Sequence, residues 1–152
     1  MHVSQMKVVL ALGVLGLAAC SMGCASQSTV LPGVPVHPLM TETLRLHGTA
    51  SSLSASPSCT GPVNAKPANV LELADDTRVT ILLEAPSGEP ALPLSMLRVT
   101  HLESNKTWCA MTRPDGTPAA IGGELPSGQY AVSVGASASA APRKYEVRIL
   151  RL

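Results

Sequence analysis

Four cysteines, four histidines and a scatter of carboxylates are the side chains of this 152-residue chain able to ligate a metal, attack an electrophile or carry a proton. Their spacing speaks against most of that chemistry. Cys59 and Cys109 stand far apart, with no Cys-x-x-Cys motif and no histidine at ligand spacing beside them, so a bridge between them suits the pattern better than a reactive thiol or a metal-ligand pair. His2 and His37 lie in the N-terminal part, and His47 and His101 would need a third ligand supplied by folding to hold a metal. Isolated surface or core-edge histidines are the expectation. Asp75-Asp76, followed by Thr77, reads as a turn before a strand rather than as a cation site. A serine nucleophile would call for an elbow of the Gly-x-Ser-x-Gly kind; Ser133 sits in Val132-Ser133-Val134-Gly135 with no glycine before it. The expectation is therefore no catalytic residue, no metal site and no cofactor, in a protein that is not an enzyme.

Charge narrows the partners. Only 14% of the residues are charged, with 11 Lys+Arg against 10 Asp+Glu, which leaves no basic field to attract nucleic acid. Arg143, Lys144, Arg148 and Arg151 cluster near the C-terminal end and could meet lipid phosphates or an acidic polymer. With Glu146 among them, a solvated strand face is the preferred reading.

The N-terminal stretch carries an address. After Lys7 comes the run Val8 to Ala19, apolar apart from glycines, about 12 residues where a bilayer span needs roughly 20. A charged start, a short apolar core and small residues before a break describe a secretory signal over residues 1–19, to be set aside from the fold. The run ends in Leu17-Ala18-Ala19-Cys20, which resembles the lipobox of bacterial lipoproteins. That resemblance implies cleavage before Cys20, diacylation of its thiol and acylation of its new amino group, palmitate being the expected chain. An ordinary small-residue cleavage site is the alternative. Ser21-Met22-Gly23-Cys24 is a second candidate, with Ser21 a poor match for the aliphatic position. Two or three acyl chains hold a protein stably where one does so only marginally. Ser21 after the cysteine is similar to outer-membrane sorting signals of enteric bacteria, so the expected location is the cell envelope, lipid-anchored, at the outer membrane. Without residues 1–19 the charges balance, ten against ten. An exported compartment favours oxidation of Cys59 and Cys109. Trp108, beside Cys109, is expected to pack on that disulfide, or else to form a ligand platform.

Behind the lipid site, residues 20–43 read as a flexible tether, because Leu31-Pro32-Gly33-Val34-Pro35-Val36-His37-Pro38 repeats apolar-proline steps that no helix accommodates. A serine-rich stretch runs from Thr49 to Pro62, and Leu44 to Gly48 alternates briefly, as one strand would. From Asn69 the period is two. Val79, Ile81 and Leu83 alternate with Thr80, Leu82 and Glu84; Leu97, Val99 and His101 with Arg98 and Thr100; Tyr130, Val132 and Val134 with Ala131 and Ser133; Tyr145, Val147 and Ile149 with Glu146 and Arg148. These are half-buried strands. Pro114-Asp115-Gly116 and Pro126-Ser127-Gly128 are turns between them. Six or seven short strands without a sustained helical period predict an all-β fold, a small antiparallel β-sandwich over residues 44–152.

The run Leu125-Pro126-Ser127-Gly128-Gln129-Tyr130 leading into Val132 and Val134, with the closing strand Tyr145 to Ile149, resembles the last hairpin of bacterial pre-peptidase C-terminal domains. The resemblance extends over residues 66–150 at most. It implies a sandwich without catalytic residues that accompanies secreted hydrolases or serves as a binding or spacer module. Pro93-Leu94-Ser95-Met96-Leu97 stands where acidic residues often precede that family's central strand, which argues against a calcium site. The expected function is a non-catalytic binding or scaffolding module in an envelope or surface assembly, with an envelope protein as partner. An accessory or inhibitory lipoprotein of a secreted hydrolase is the alternative.

Overall fold

A computed structural model describes residues 31–52, 59, 67–92, 94–136 and 142–152. The signal stretch, the lipobox with Cys20, and Cys24 lie outside the described residues. Nine strands form: β1 (Val36–Pro38), β2 (Thr43–Ser52), β3 (Asn69–Leu73), β4 (Thr77–Glu84), β5 (Met96–His101), β6 (Thr107–Met111), β7 (Ala119–Leu125), β8 (Gly128–Ala136) and β9 (Arg143–Arg151). One sheet has the order β1-β3-β8-β5-β6 and the other β2-β9-β4-β7. Strand β2 belongs to both: Thr43 to Ala50 run antiparallel to β9, and Ser51-Ser52 pair in parallel with Gly135-Ala136 of β8. The fold is an all-β sandwich, as the two-residue period predicts.

Alternation builds the core. Val79, Ile81 and Leu83 of β4 and Tyr145, Val147 and Ile149 of β9 turn inward from one sheet; Leu71, Leu97, Val99, Tyr130, Val132 and Val134 meet them from the other. The residues alternating with them, among them Arg78, Thr80, Arg98 and Thr100, point outward. Burial of this aliphatic set is the main favourable term for the fold, at about 25 cal/mol per Å² of apolar surface removed from water.

Three features depart from the sequence expectations. Part of the stretch read as tether belongs to the folded body. β1 lies parallel to β3, the N–H of Val70 donates to Pro35 C=O at 2.9 Å and that of Leu39 to Glu72 C=O at 3.0 Å, and Val34 and Leu39 are buried. The prolines permit this because β1 is an edge strand, where a missing N–H costs no ladder bond. Likewise β2 continues through the first serines of the Ser-rich stretch. Strand β7 was hidden by Gly122-Gly123, which interrupts the apolar alternation; Gly123 has φ 145°, a conformation open to glycine. Trp108 does not pack on the disulfide: adjacent strand residues face opposite sides, so Trp108 turns toward the core with its ring 6.0 Å from that of Tyr130, and Cys109 turns outward beside Arg98.

The turn from β7 to β8 explains the Leu-x-x-Gly-x-Tyr element physically. Leu125 is buried, Gly128 has φ 134°, and a Cβ on Gly128 would stand 2.4 Å from His101 Nε2. Tyr130, fully buried, donates its hydroxyl to Pro126 C=O at 2.5 Å. This is the tyrosine corner found in many sandwiches. Burial, and then the nearby Asp76 carboxylate, push the Tyr130 phenol up to about 12.

Candidate functional site

The chemistry-bearing residues are dispersed rather than gathered. His47 lies on the outward face of β2, with Nδ1 3.7 Å from Glu146 Oε2. His101 lies at the end of β5 in the other sheet and is buried. The Ser104 N–H donates to His101 Nδ1 at 3.3 Å, and Ser104 Oγ lies 2.8 Å from the same nitrogen. Nδ1 therefore accepts, and Nε2 carries the proton toward Ser127 C=O at 3.3 Å. A serine hydroxyl on an imidazole is half of a nucleophile pair, but the far nitrogen is held by a carbonyl instead of a carboxylate, and Ser104 Oγ also accepts the Lys106 N–H at 3.3 Å. That is the hydrogen bonding of a turn, completed by Asn105 at φ 57°. His37 reaches Asn69 Oδ1 at 3.0 Å and ties β1 to β3. Asp75-Asp76 forms the expected turn: Asp75 C=O accepts the Thr77 hydroxyl at 2.7 Å, and Asp76 Oδ1 accepts the Ser127 N–H at 2.8 Å. Among the described residues no three His, Cys, Asp or Glu side chains converge to hold a metal ion.

Cys59 and Cys109 form a disulfide, with Cα atoms 5.5 Å apart at a sequence separation of 50. It fastens the long β2–β3 connection to the outward side of β6. The Arg98 guanidinium donates to Cys59 C=O at 3.4 Å beside it.

On the outward face of the second sheet every carboxylate in ion-pair reach of a cation forms part of a ladder. Arg45 pairs with Glu146, Arg148 Nε lies 3.2 Å from Glu84 Oε1, and Lys144 Nζ lies 3.0 Å from Glu89 Oε1. Glu84 and Glu146 stand directly opposite each other on β4 and β9, as do Arg45 and Arg148 on β2 and β9. Each like-charged row is offset by the other through diagonal pairs. Of the cations expected on a solvated strand face, Lys144 and Arg148 stand in these pairs, while Glu146 among them is buried.

The clefts lie at the two ends of the sandwich. At the end where residues 31–35 enter, a cleft of about 430 Å³ lies between His47, Ser87 and Tyr145, with the Lys144–Glu89 pair on its wall. At the far end, a groove of about 550 Å³ opens where the β1–β2, β3–β4, β5–β6 and β7–β8 turns meet. Leu39 and Leu73, both in the core, form its apolar floor, and Met40, 80% exposed, stands on its rim. Glu72, Glu103 and Gln129 supply its polar side chains. Gln129 Nε2 donates to Glu72 Oε1 at 3.5 Å, and among the described residues neither Glu72 nor Glu103 has a cation in ion-pair reach. No local sequence pattern marks this groove, because its residues come from four separate turns and Met40 lies in the stretch that reads as tether.

The chain matches no protein-family model and no curated protein.

Proposed function

We propose that this chain is a lipid-anchored protein of the bacterial cell envelope, sorted to the outer membrane, that acts as a non-catalytic binding or scaffolding module for an envelope protein. The observation that carries the reading is the run Leu17-Ala18-Ala19-Cys20 behind a short apolar stretch with one preceding lysine. The Cys59–Cys109 bridge supports it, since structural disulfides persist in exported compartments. So does the position of the larger groove, at the end of the sandwich opposite the entry of the N-terminal segment. A tether on Cys20 would present that end away from the membrane. Replacing Cys20→Ala moves the protein from the membrane to the soluble fraction on this reading; retention in the membrane contradicts it.

The alternative, an accessory or inhibitory lipoprotein of a secreted hydrolase, draws on the likeness of Leu125 to Ile149 to peptidase-linked domains. Leu125 is buried in the core, Gly128 makes the turn beside His101 and Tyr130 forms the corner hydrogen bond, so folding requirements alone account for much of that likeness. Recovery of a hydrolase with the protein from intact envelopes would favour the alternative over the scaffolding role.

A further inference from the structure

We infer that the far-end groove receives a cationic peptide segment of the partner, with one Lys or Arg head between Glu72 and Glu103 and apolar neighbours on Leu39, Met40 and Leu73. The inference rests on the proposed role as a binding module and names the chemistry of its partner.

Among the described residues this groove brings together two carboxylates that have no ion-pair partner. Glu84, Glu89 and Glu146 each have an Arg or Lys of the same chain beside them. Glu72 and Glu103 line a cavity to which no described residue contributes a cationic side chain. Glu72 is moreover half-buried, with only an amide at 3.5 Å for company. A ligand cation would make charge-assisted hydrogen bonds with these carboxylates. The floor selects among cations. Lys and Arg lay their methylene stems along apolar surface and keep the head group free, which Leu39, Leu73 and Met40 accommodate. A bare metal ion would want additional ligands, and among the described residues no third His, Cys, Asp or Glu joins the two glutamates. A volume of about 550 Å³ matches a few side chains rather than a whole domain.

The neighbouring sheet edge is a poorer docking place. In β1, Pro38 has no N–H to offer, and its carbonyl already accepts the Met40 N–H at 3.0 Å. Addition of a strand to β1 is therefore blocked, and recognition falls to side chains in the groove. The cleft at the other end already contains an internal Lys144–Glu89 pair, which leaves it no net preference.

The test is fluorescence anisotropy with the full chain in detergent micelles and two labelled peptides, Ala-Leu-Lys-Leu-Ala and the same peptide with Glu in place of Lys. The lysine peptide should bind at least about tenfold more tightly, a preference that high salt erodes. In the Glu72→Gln, Glu103→Gln double variant the preference should vanish. Glu103→Gln alone, at an exposed position outside the core, should reduce it, and Glu84→Gln should leave it intact. Equal binding of the two peptides, a preference that survives the double variant, or displacement of the peptide by calcium chloride but not by potassium chloride would overturn the inference. A photo-crosslinker at Met40 separates it from the reading beneath. A protein adduct whose contacting segment lacks Lys and Arg overturns the charge inference alone, whereas no protein adduct overturns both.

Discussion

The two ends of the sandwich differ in the length of their connections and in the one covalent cross-link. At the far end, four connections of two to five residues link the strands, and side chains tie the turns to one another. Asp76 receives the N–H of Ser127, His101 bridges Ser104 and Ser127, and Tyr130 reaches Pro126. At the entry end the connections run from six to sixteen residues. There the buried Thr112 ties two connections together, donating its hydroxyl to Leu92 C=O and accepting the Ser95 N–H at 2.8 Å, and the Cys59–Cys109 cross-link and the exposed Lys144–Glu89 pair hold the others. Short turns leave little entropy to restrain and so can be organised by single hydrogen bonds, whereas a long connection gains most from a covalent closure. The end with the short, hydrogen-bonded turns is the one with the larger groove and its Glu72 and Glu103 carboxylates, a surface that loses little freedom when a ligand docks.

The largest effect should come from the entry end. Replacing both Cys59 and Cys109 by Ala removes a 50-residue cross-link and should lower stability by about 4 kcal/mol in the chain-entropy picture, read as a shift of the urea midpoint; an unchanged midpoint would remove the bridge from the account. At the far end, Gly128→Ala forces a side chain into φ 134° and against His101, at about 1–3 kcal/mol, measured in the same titration. Tyr130→Phe leaves Pro126 C=O without its buried donor and should cost about 1–2 kcal/mol.

Alkaline pH acts on the same residue. The folded-state pKa of Tyr130 is raised to about 12, above its ordinary value near 10. Between those values the folded state binds more protons than the unfolded state, so stability falls as pH rises from about 10 toward 12. Tyr145, raised by burial in the core, adds in the same direction. Thermal unfolding of the wild type should show this loss, and Tyr130→Phe should show less of it. The smallest effect belongs to Lys144→Ala, which breaks an exposed pair with Glu89 and should change stability by under about 1 kcal/mol.

The strands with unbroken alternation were legible in the sequence, since Val79 to Leu83, Leu97 to His101, Tyr130 to Val134 and Tyr145 to Ile149 each sort their faces by residue type. β1 and β7 were not, because the prolines at 35 and 38 and the glycines at 122 and 123 erase the local pattern that pairing with β3 and β4 restores. The disulfide partners followed from the cysteine count. The groove could not follow from any local pattern: Met40, Glu72, Glu103 and Gln129 are ordinary residues in sequence, brought together only by the order β1-β3-β8-β5.

The central claim is that the protein meets its partner through the end opposite its tether. A photo-reactive residue placed in turn at Met40, on the far-end groove, and at Leu94, 47% exposed on the β4–β5 connection at the entry end, tests it in intact envelopes. The account predicts a discrete protein adduct from Met40 and none from Leu94. An adduct from Leu94 alone, or none from either position, would contradict it.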